Sequence, residues 1–218
     1  MPADRVARAA AWLQAWDSQG THRTATEGDD AGADWLVAEA ERLGARVDVE
    51  SFAVDRVEPV EAFVDIDGIR LEGVKLFDSP DTAPGGAESV QVIELAPFAV
   101  YGSEFRGLRK ESPVGAIVVV TTGERPGLAL LNAESFLSPF GPPVLQVSSV
   151  ERERVTAAAA KRVTIVSRRV KAVGRNVVVT VPGTDPSIKP LVVMTPRSSW
   201  WRKQSALSST RRLLAERR

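Results

Sequence analysis

Apolar residues near the N-terminus recur with the period of two amphipathic helices. The first is expected to begin after Asp4, a candidate N-cap, and to carry an apolar stripe formed by Val6, Ala9, Ala10, Leu13 and Trp16. Thr26 and Asp29 stand at the spacing of a capping box, with Asp in place of the usual Glu, and predict a second helix. That helix is expected to end at Gly44 and to bury Trp35, Leu36, Ala40 and Leu43.

The middle of the chain alternates with the period of β-strands. Residues 46–54 and the run from Ala62 predict strands, and Asp67-Gly68 between two alternating runs predicts a hairpin. Residues 115–122 form a continuous β-branched run, which predicts a strand buried on both faces. Further strands are expected at 90–95, 144–147 and 163–166, the last with a possible extension to 173.

The last third of the chain predicts a mixture of elements. Ser148 or Ser149 is expected to cap a helix that runs to about Lys161. Two apolar runs, residues 176–181 and 191–194, have the pattern of buried strands and are separated by a turn at 182–186. Residues 198–218 predict a basic helix.

Composition excludes several kinds of chemistry. The chain has 218 residues, with 44% hydrophobic and 26% charged, as in globular proteins. The absence of Cys excludes disulfides, thiolate zinc sites, iron–sulfur clusters and a cysteine nucleophile. The single His, His22, excludes mechanisms that need two imidazoles and argues against a Ser-His-Asp triad. The sequence contains no phosphate-binding glycine loop, no dinucleotide fingerprint and no His-Glu-x-x-His motif.

The net charge of zero conceals an uneven distribution. Residues 1–100 carry 8 basic and 20 acidic side chains, whereas residues 101–218 carry 20 basic and 8 acidic ones. This asymmetry fits either a nucleic-acid-binding arm or two halves that fold against each other, and the interspersed apolar residues favour the second. No apolar run approaches the ~18 residues of a membrane span. Because the N-terminus also lacks a signal-peptide pattern, the chain is expected to be cytoplasmic.

Four features of the sequence have both a structural and a functional interpretation. His22 lies in a polar segment and is expected to be a solvated or capping loop residue, while a role as metal ligand or base would require distant carboxylates. Gly183 belongs to an expected turn rather than an anion site. Trp200-Trp201 is expected to be buried at a helix start rather than to stack on bases. The pairs Arg211-Arg212 and Arg217-Arg218 are expected to be solvated rather than to contact phosphate.

The order of these segments resembles a known family. The loop of residues 22–29, the helix that ends with Leu43-Gly44 and the strand to Phe52 resemble the N-terminal signature of co-catalytic two-zinc aminopeptidases of the aminopeptidase Y and aminopeptidase S type. The β-rich middle resembles their inserted protease-associated (PA) domain, with residues 115–123 similar to its central strand and 142–149 to its proline–apolar–serine–helix segment.

Residues 176–193 are similar to the return into the peptidase core, and this is the most specific part of the resemblance. The resemblance implies an α/β fold, in which a partial zinc-exopeptidase-like core of N-terminal helices and mostly parallel strands carries an inserted β-rich PA-like domain. It divides the chain into residues 1–56 of the core, a PA-like domain at 57–173, and a return to the core with a basic helix at 174–218.

The resemblance fails at the residues that would hold the metal. In the family the strand similar to residues 191–194 ends in a His-x-Asp pair that serves the zinc ions, but here Pro196 and Ser198 occupy those positions. Pro has no side-chain ligand atom, and Ser is a poor zinc ligand. The family's other ligands and its general-base glutamate lie downstream, where Glu216 is the only acid left. No catalytic, cofactor-binding or metal-binding residue is therefore assigned to this chain, although zinc is the family's cofactor.

The resemblance predicts a metallo-aminopeptidase-like protein. Because the metal-ligand positions are missing, the given chain is expected to lack the zinc site and to be catalytically incompetent. Such a chain is either a truncated or frame-disrupted form of a longer enzyme or a non-catalytic relative. The alternative function is a non-enzymatic interaction module built on the PA-like domain, with a peptide or protein ligand. Nucleic acid is not an expected partner, and the oligomeric state stays open.

Overall fold

The computed structural model of the protein describes residues 3–135, 138–185 and 187–197. In chain order its elements are α1 (Ala3–Asp17), α2 (Glu27–Arg42), β1 (Arg46–Ile66), β2 (Ile69–Glu72), β3 (Val74–Lys75), β4 (Val90–Leu95), a 3₁₀ turn (Pro97–Tyr101), α3 (Ser103–Glu111), β5 (Ala116–Thr121), β6 (Val144–Val147), a 3₁₀ turn (Ser149–Glu151), α4 (Arg152–Ala157) and β7 (Lys161–Thr180). The strands form two sheets with the orders β2-β1-β7 and β3-β6-β5-β4. No described helix is long and apolar enough to cross a membrane.

The chain divides into two compact units. Unit 1 contains the described residues within 1–56 and 171–218, and unit 2 contains residues 57–170. Helices α1 and α2 belong to unit 1, whereas strands β2 to β6 and helices α3 and α4 belong to unit 2. Strands β1 and β7 each continue across the boundary between the two ranges.

The two helices predicted for unit 1 are confirmed, with corrections at their ends and faces. Helix α1 begins at Ala3, so Asp4 lies in its first turn instead of capping it. Thr26 caps α2 as predicted and accepts a hydrogen bond from the backbone N–H of Asp29. The expected stripe of α1 is not buried, since Trp16 is half-buried and its other members are exposed, Leu13 by 68%. The stripe of α2 is only partly buried, because Ala40 is buried but Leu43 is 61% exposed.

The core of unit 2 lies on both faces of β5. Ala116, Val118 and Val120 face one hydrophobic cluster with β1, β2, α4 and β7, while Ile117 and Val119 face a second cluster with α3. All six residues of β5 are buried, which confirms the prediction from its β-branched run. Strand β5 pairs in parallel with both β4 and β6, and β3 closes the other edge by antiparallel pairing with β6.

The predicted hairpin is present at the end of β1. Ile66 pairs with Ile69, and the two residues between them have positive φ, 47° for Asp67 and 83° for Gly68. This left-handed conformation suits Asp and Gly and matches the twist of the flanking strands. The hairpin places Ala62, Val64, Ile66 and Leu71 in the first cluster.

Several expectations for the rest of the chain are wrong. Ser148 caps a helical segment as expected, but this segment is a 3₁₀ turn followed by the six-residue α4 and ends at Ala157 rather than near Lys161. Residues 176–181 do not make a separate buried strand, because β7 continues to Thr180 and its last residues are exposed. Residues 191–194 form no strand, and their side chains are 74–90% exposed. Helix α3 had no sequence prediction, and residues 198–218 lie outside the described chain.

Candidate functional site

The segment before α2 holds the only histidine of the sequence in a buried position. His22 is 1% exposed, so of the two expected positions, solvated or capping, the solvated one is wrong. The capping one agrees with the contact of its ring with a carbonyl in the last turn of α1. Its ring stacks on Trp16, with the ring centroids 3.8 Å apart, and Nε2 lies 2.8 Å from the carbonyl oxygen of Trp16. Because a carbonyl oxygen only accepts hydrogen bonds, this contact assigns the proton to Nε2. The imidazole is therefore a packed and oriented core group.

The loop that carries His22 packs closely against the first turns of α2. A Cβ at Gly32 would lie 3.0 Å from Nδ1 of His22, which is tighter than ordinary van der Waals contact. A Cβ at Gly28 would overlap the carbonyl oxygen of Thr21. Two glycines on the first turns of α2 thus let the helix approach the loop that carries His22.

An arginine near the end of the described chain neutralises the carboxylate that follows this loop. Asp29 is 1% exposed, and its Oδ1 lies 2.7 Å from Nη1 of Arg197. Its Oδ2 accepts a hydrogen bond from the backbone N–H of Ala25 at 2.8 Å. Arg197 also donates to the carbonyl oxygens of Asp29 and Arg175. Both carboxylate oxygens of Asp29 therefore have protein partners.

A second arginine binds the exposed acidic side of α2. Arg175 of β7 donates to Oδ1 of Asp30 at 3.1 Å and to Oδ1 of Asp34 at 2.8 Å. Hydrogen bonding to Asp34 is the largest of the effects that raise the pKa of this guanidinium above its ordinary value. The two arginines fasten the start of α2 to β7 and to the segment around Arg197, which is a structural arrangement rather than an acid–base pair.

Unit 2 contains a separate group of titratable side chains around Lys75. Its ammonium group is buried and donates to Oδ1 of Asp81 and, at 3.0 Å, to Oγ of Ser167. Ser167 in turn donates to Oδ1 of Asp81 at 2.7 Å. A neutral lysine can activate a serine in some hydrolases. Here the carboxylate of Asp81 stabilises the charged ammonium, so the group functions as an ion pair and not as a base with its nucleophile.

The described residues were expected to hold no metal ion, and the groups of possible ligand side chains bear on this expectation. Among residues 3–135, 138–185 and 187–197, no three His, Asp or Glu side chains are grouped so that they could hold a metal ion. Pro196 is exposed, and Ser198 lies outside the described residues together with Trp200-Trp201 and the arginine pairs of the tail. A Cβ added at Gly183 would meet no heavy atom within 4 Å.

Sequence reasoning found one member of the Asp29–Arg197 pair and missed the other. Asp29 has a detectable signal, since it stands at the capping-box position relative to Thr26. Its carboxylate binds the N–H of Ala25 instead of that of Thr26, a shift of one residue from the standard capping box. Arg197 carries no local signal, because its role depends on a contact with a residue 168 positions earlier in the chain.

The fold is similar to that of solved zinc aminopeptidase structures. An M28 peptidase precursor from Shewanella amazonensis SB2B matches 72% of this chain with a TM-score of 0.55 and 16% identity. BSAP, a zinc aminopeptidase from Bacillus subtilis, matches 74% with a TM-score of 0.53 and 14% identity. The match spans 46% and 43% of those two chains, respectively. The mixed α/β architecture with two sheets therefore partly matches the M28 aminopeptidase fold.

The sequence itself gives no comparable match. No protein-family model matches the chain, and no curated protein matches it. At 14–16% identity, the likeness to the two aminopeptidases concerns the fold.

Proposed function

We propose that this chain is a metallo-aminopeptidase-like protein that does not hydrolyse peptides as the given chain. The observation that carries the proposal is the likeness of its fold to the M28 peptidase precursor over 72% of its residues. The sequence resemblance to two-zinc aminopeptidases at the loop of residues 22–29 points to the same family, whereas residues 191–194, which resemble a core strand, form no strand here.

The described residues of this chain do not fit a pair of zinc ions. Pro196 stands where the resemblance places a histidine ligand, and it has no donor atom on its side chain. His22 is buried, and its Nε2 is engaged by Trp16. The carboxylate of Asp29 is already neutralised by the guanidinium of Arg197, whose charge would repel a metal cation at the same oxygens. No catalytic step through zinc is therefore assigned to this chain.

Residues 57–173, of which unit 2 contains 57–170, are proposed to form the inserted PA-like domain, with 1–56 and 174–218 as parts of the peptidase-like core. The support is that both large hydrophobic clusters of the described chain lie within unit 2. This self-contained core also favours the second candidate function, a non-enzymatic module in which the PA-like domain binds a peptide or protein.

Metal analysis and a peptidase assay test the proposal together. The purified full chain is dialysed against zinc, analysed for bound metal, and assayed with a panel of aminoacyl-arylamides beside a mock purification from cells that lack the gene. We expect less than one zinc per chain and no turnover above the mock sample. Stoichiometric zinc with turnover that a chelator abolishes would overturn the proposal. Turnover equal to that of the mock sample would be assigned to contamination and would agree with it.

A further inference from the structure

A shallow depression in unit 2 lies at the carboxyl ends of two parallel strands. It has a volume of about 260 Å³ and is lined by residues after β5 and β6, among them Thr122, Arg125, Ser149 and Arg152. Thr122 directly follows β5, and Ser149 lies two residues after β6. Ligands of open parallel sheets bind outside the carboxyl ends of the strands at the point where the strand order reverses. Strands β4, β5 and β6 follow one another without such a reversal, so the case for a ligand here rests on the residues that line the depression.

Two arginine residues line the depression. Arg125 is exposed and makes no hydrogen bond or ion pair with any described residue. Arg152 pairs with Glu94 of β4 at 2.9 Å, but the two side chains are 47% and 49% exposed. An ion pair this exposed contributes little free energy, so Arg152 can exchange Glu94 for another anion at small cost.

Three further lining residues carry hydrogen-bond donors that are not used within the described chain. The hydroxyl of Thr122 and the backbone N–H groups of Gly123 and Glu124 have no acceptor among the described residues. The hydroxyl of Ser149 is already used, because it exchanges hydrogen bonds with the N–H and C=O of Gly127 and so holds the loop in shape. Guanidinium forks and adjacent backbone N–H groups are the donors that proteins use for carboxylate and phosphate oxygens.

We propose that this depression binds a small oxyanion, a carboxylate or a phosphate, between Arg125 and Arg152. The hydroxyl of Thr122 and the N–H groups of Gly123 and Glu124 supply the directed hydrogen bonds. Glu94 and Glu124 offset the charge of the two arginines, so the site selects by donor geometry rather than by a strong positive field. The proposal does not depend on peptidase activity and concerns unit 2 alone.

Titrations of the ¹⁵N-labelled full chain test this site. Inorganic phosphate and acetate are added in separate series, with sodium chloride at matched ionic strength as the reference, and amide shifts are followed. We expect saturable shifts of Thr122, Gly123 and Glu124 with at least one of the two oxyanions. The variant Arg125→Ala is expected to weaken that binding at least fivefold. Arg125→Lys keeps the charge but loses the planar fork, so its affinity for the oxyanion is expected to lie between those of the unmodified chain and Arg125→Ala.

The control variant is Arg162→Ala, which removes an exposed arginine that pairs with Glu88 outside the depression. It is expected to bind like the unmodified chain. Saturation by acetate alone would identify a carboxylate site, and saturation by phosphate alone would identify a phosphate site. Shifts that grow linearly with every salt, or that are the same with and without Arg125, would overturn the proposal.

Discussion

Arg109 of α3 and Asp78 form an ion pair inside unit 2. Nη1 lies 3.0 Å from Oδ1, and the two side chains are 1% and 0% exposed. Arg109 also donates to the carbonyl oxygens of Asp78 and Phe140, and its guanidinium carbon lies 3.8 Å from the centroid of the Phe140 ring. Oδ2 of Asp78 accepts the backbone N–H groups of Glu134 and Ser135. One buried pair thus fastens α3 to the long connection between β5 and β6.

Removal of one partner of this pair is expected to destabilise the protein strongly. Asp78→Ala leaves the buried guanidinium of Arg109 without its counter-charge, which costs about 3–5 kcal/mol of the free energy of unfolding. Urea denaturation followed by circular dichroism measures this loss. The matched control is Glu88→Ala, which breaks an exposed pair with Arg162 and is expected to cost under ~1 kcal/mol. Equal losses in the two variants would contradict the structural role of Asp78.

Truncation of a β5 side chain tests whether both faces of this strand support the core. Ile117 is completely buried in the second cluster, so Ile117→Ala is expected to cost about 2–5 kcal/mol. Ile188→Ala makes the same chemical change at a side chain that is 70% exposed, and its effect is expected within ~0.5 kcal/mol. Midpoints of chemical unfolding compare the two variants, and a small effect at Ile117 would show that β5 is not packed as described.

The group around Lys75 predicts a specific pH dependence of stability. Burial alone would raise the pKa of Asp81, but hydrogen bonds from Lys75 and Ser167 outweigh it and hold this pKa below its ordinary value. Because the folded-state pKa is the lower one, the carboxylate stabilises the fold above the unfolded-state value of about 3.9. This contribution is lost as the pH falls through the folded-state pKa.

Asp81→Asn is therefore expected to be less stable than the unmodified chain near neutral pH and to lose less stability on acidification below pH ~4. Unfolding midpoints in urea between pH 7 and pH 3 measure the difference. Glu50→Gln makes the same charge change at a residue without an ion pair to any described side chain, and its profile should parallel that of the unmodified chain. If the pH profiles of both variants ran parallel to that of the unmodified chain, Asp81 would not be the source of the stability lost in acid.

Limited proteolysis tests whether the two units differ in stability. The buried hydrophobic clusters lie within residues 57–170, whereas the apolar residues 191–194 of unit 1 are 74–90% exposed. Digestion of the full chain with subtilisin is expected to leave a resistant fragment with ends near these boundaries, identified by mass spectrometry. A single resistant species of full length would contradict this expectation.

The best-predicted elements are those whose conformation is determined by their own residues and by the adjacent turn residues. Strands β4 and β6 have the bounds that alternation and turn residues indicated. The Asp67-Gly68 hairpin follows from the two residues that accept positive φ. Helix α3 escaped prediction because Ser103–Glu111 is mostly polar, and its burial depends on Phe105 and on the charged Arg109, which patterns assign to the surface.

The remaining errors concern burial, which depends on distant partners. A continuous apolar run is compatible with a buried strand, yet residues 191–194 pair with no described strand and remain exposed. His22 shows the opposite error, since its polar neighbours suggested solvent while Trp16 and Gly32 enclose it. For the candidate site, the sequence indicated Asp29 but carried no signal for its pairing with Arg197.

The two-sided burial of β5 also affects how the chain reaches its folded state. Ala116–Thr121 contains no charge and no proline, and its parallel neighbours are joined to it by connections of some twenty residues each. Such pairings form late, because loop closure must precede them. Until then the run is an uncharged β-forming segment with its edges open, which is the composition of aggregation-prone stretches. Slow synthesis at low temperature is therefore expected to raise the yield of native protein by limiting encounters between unfinished chains.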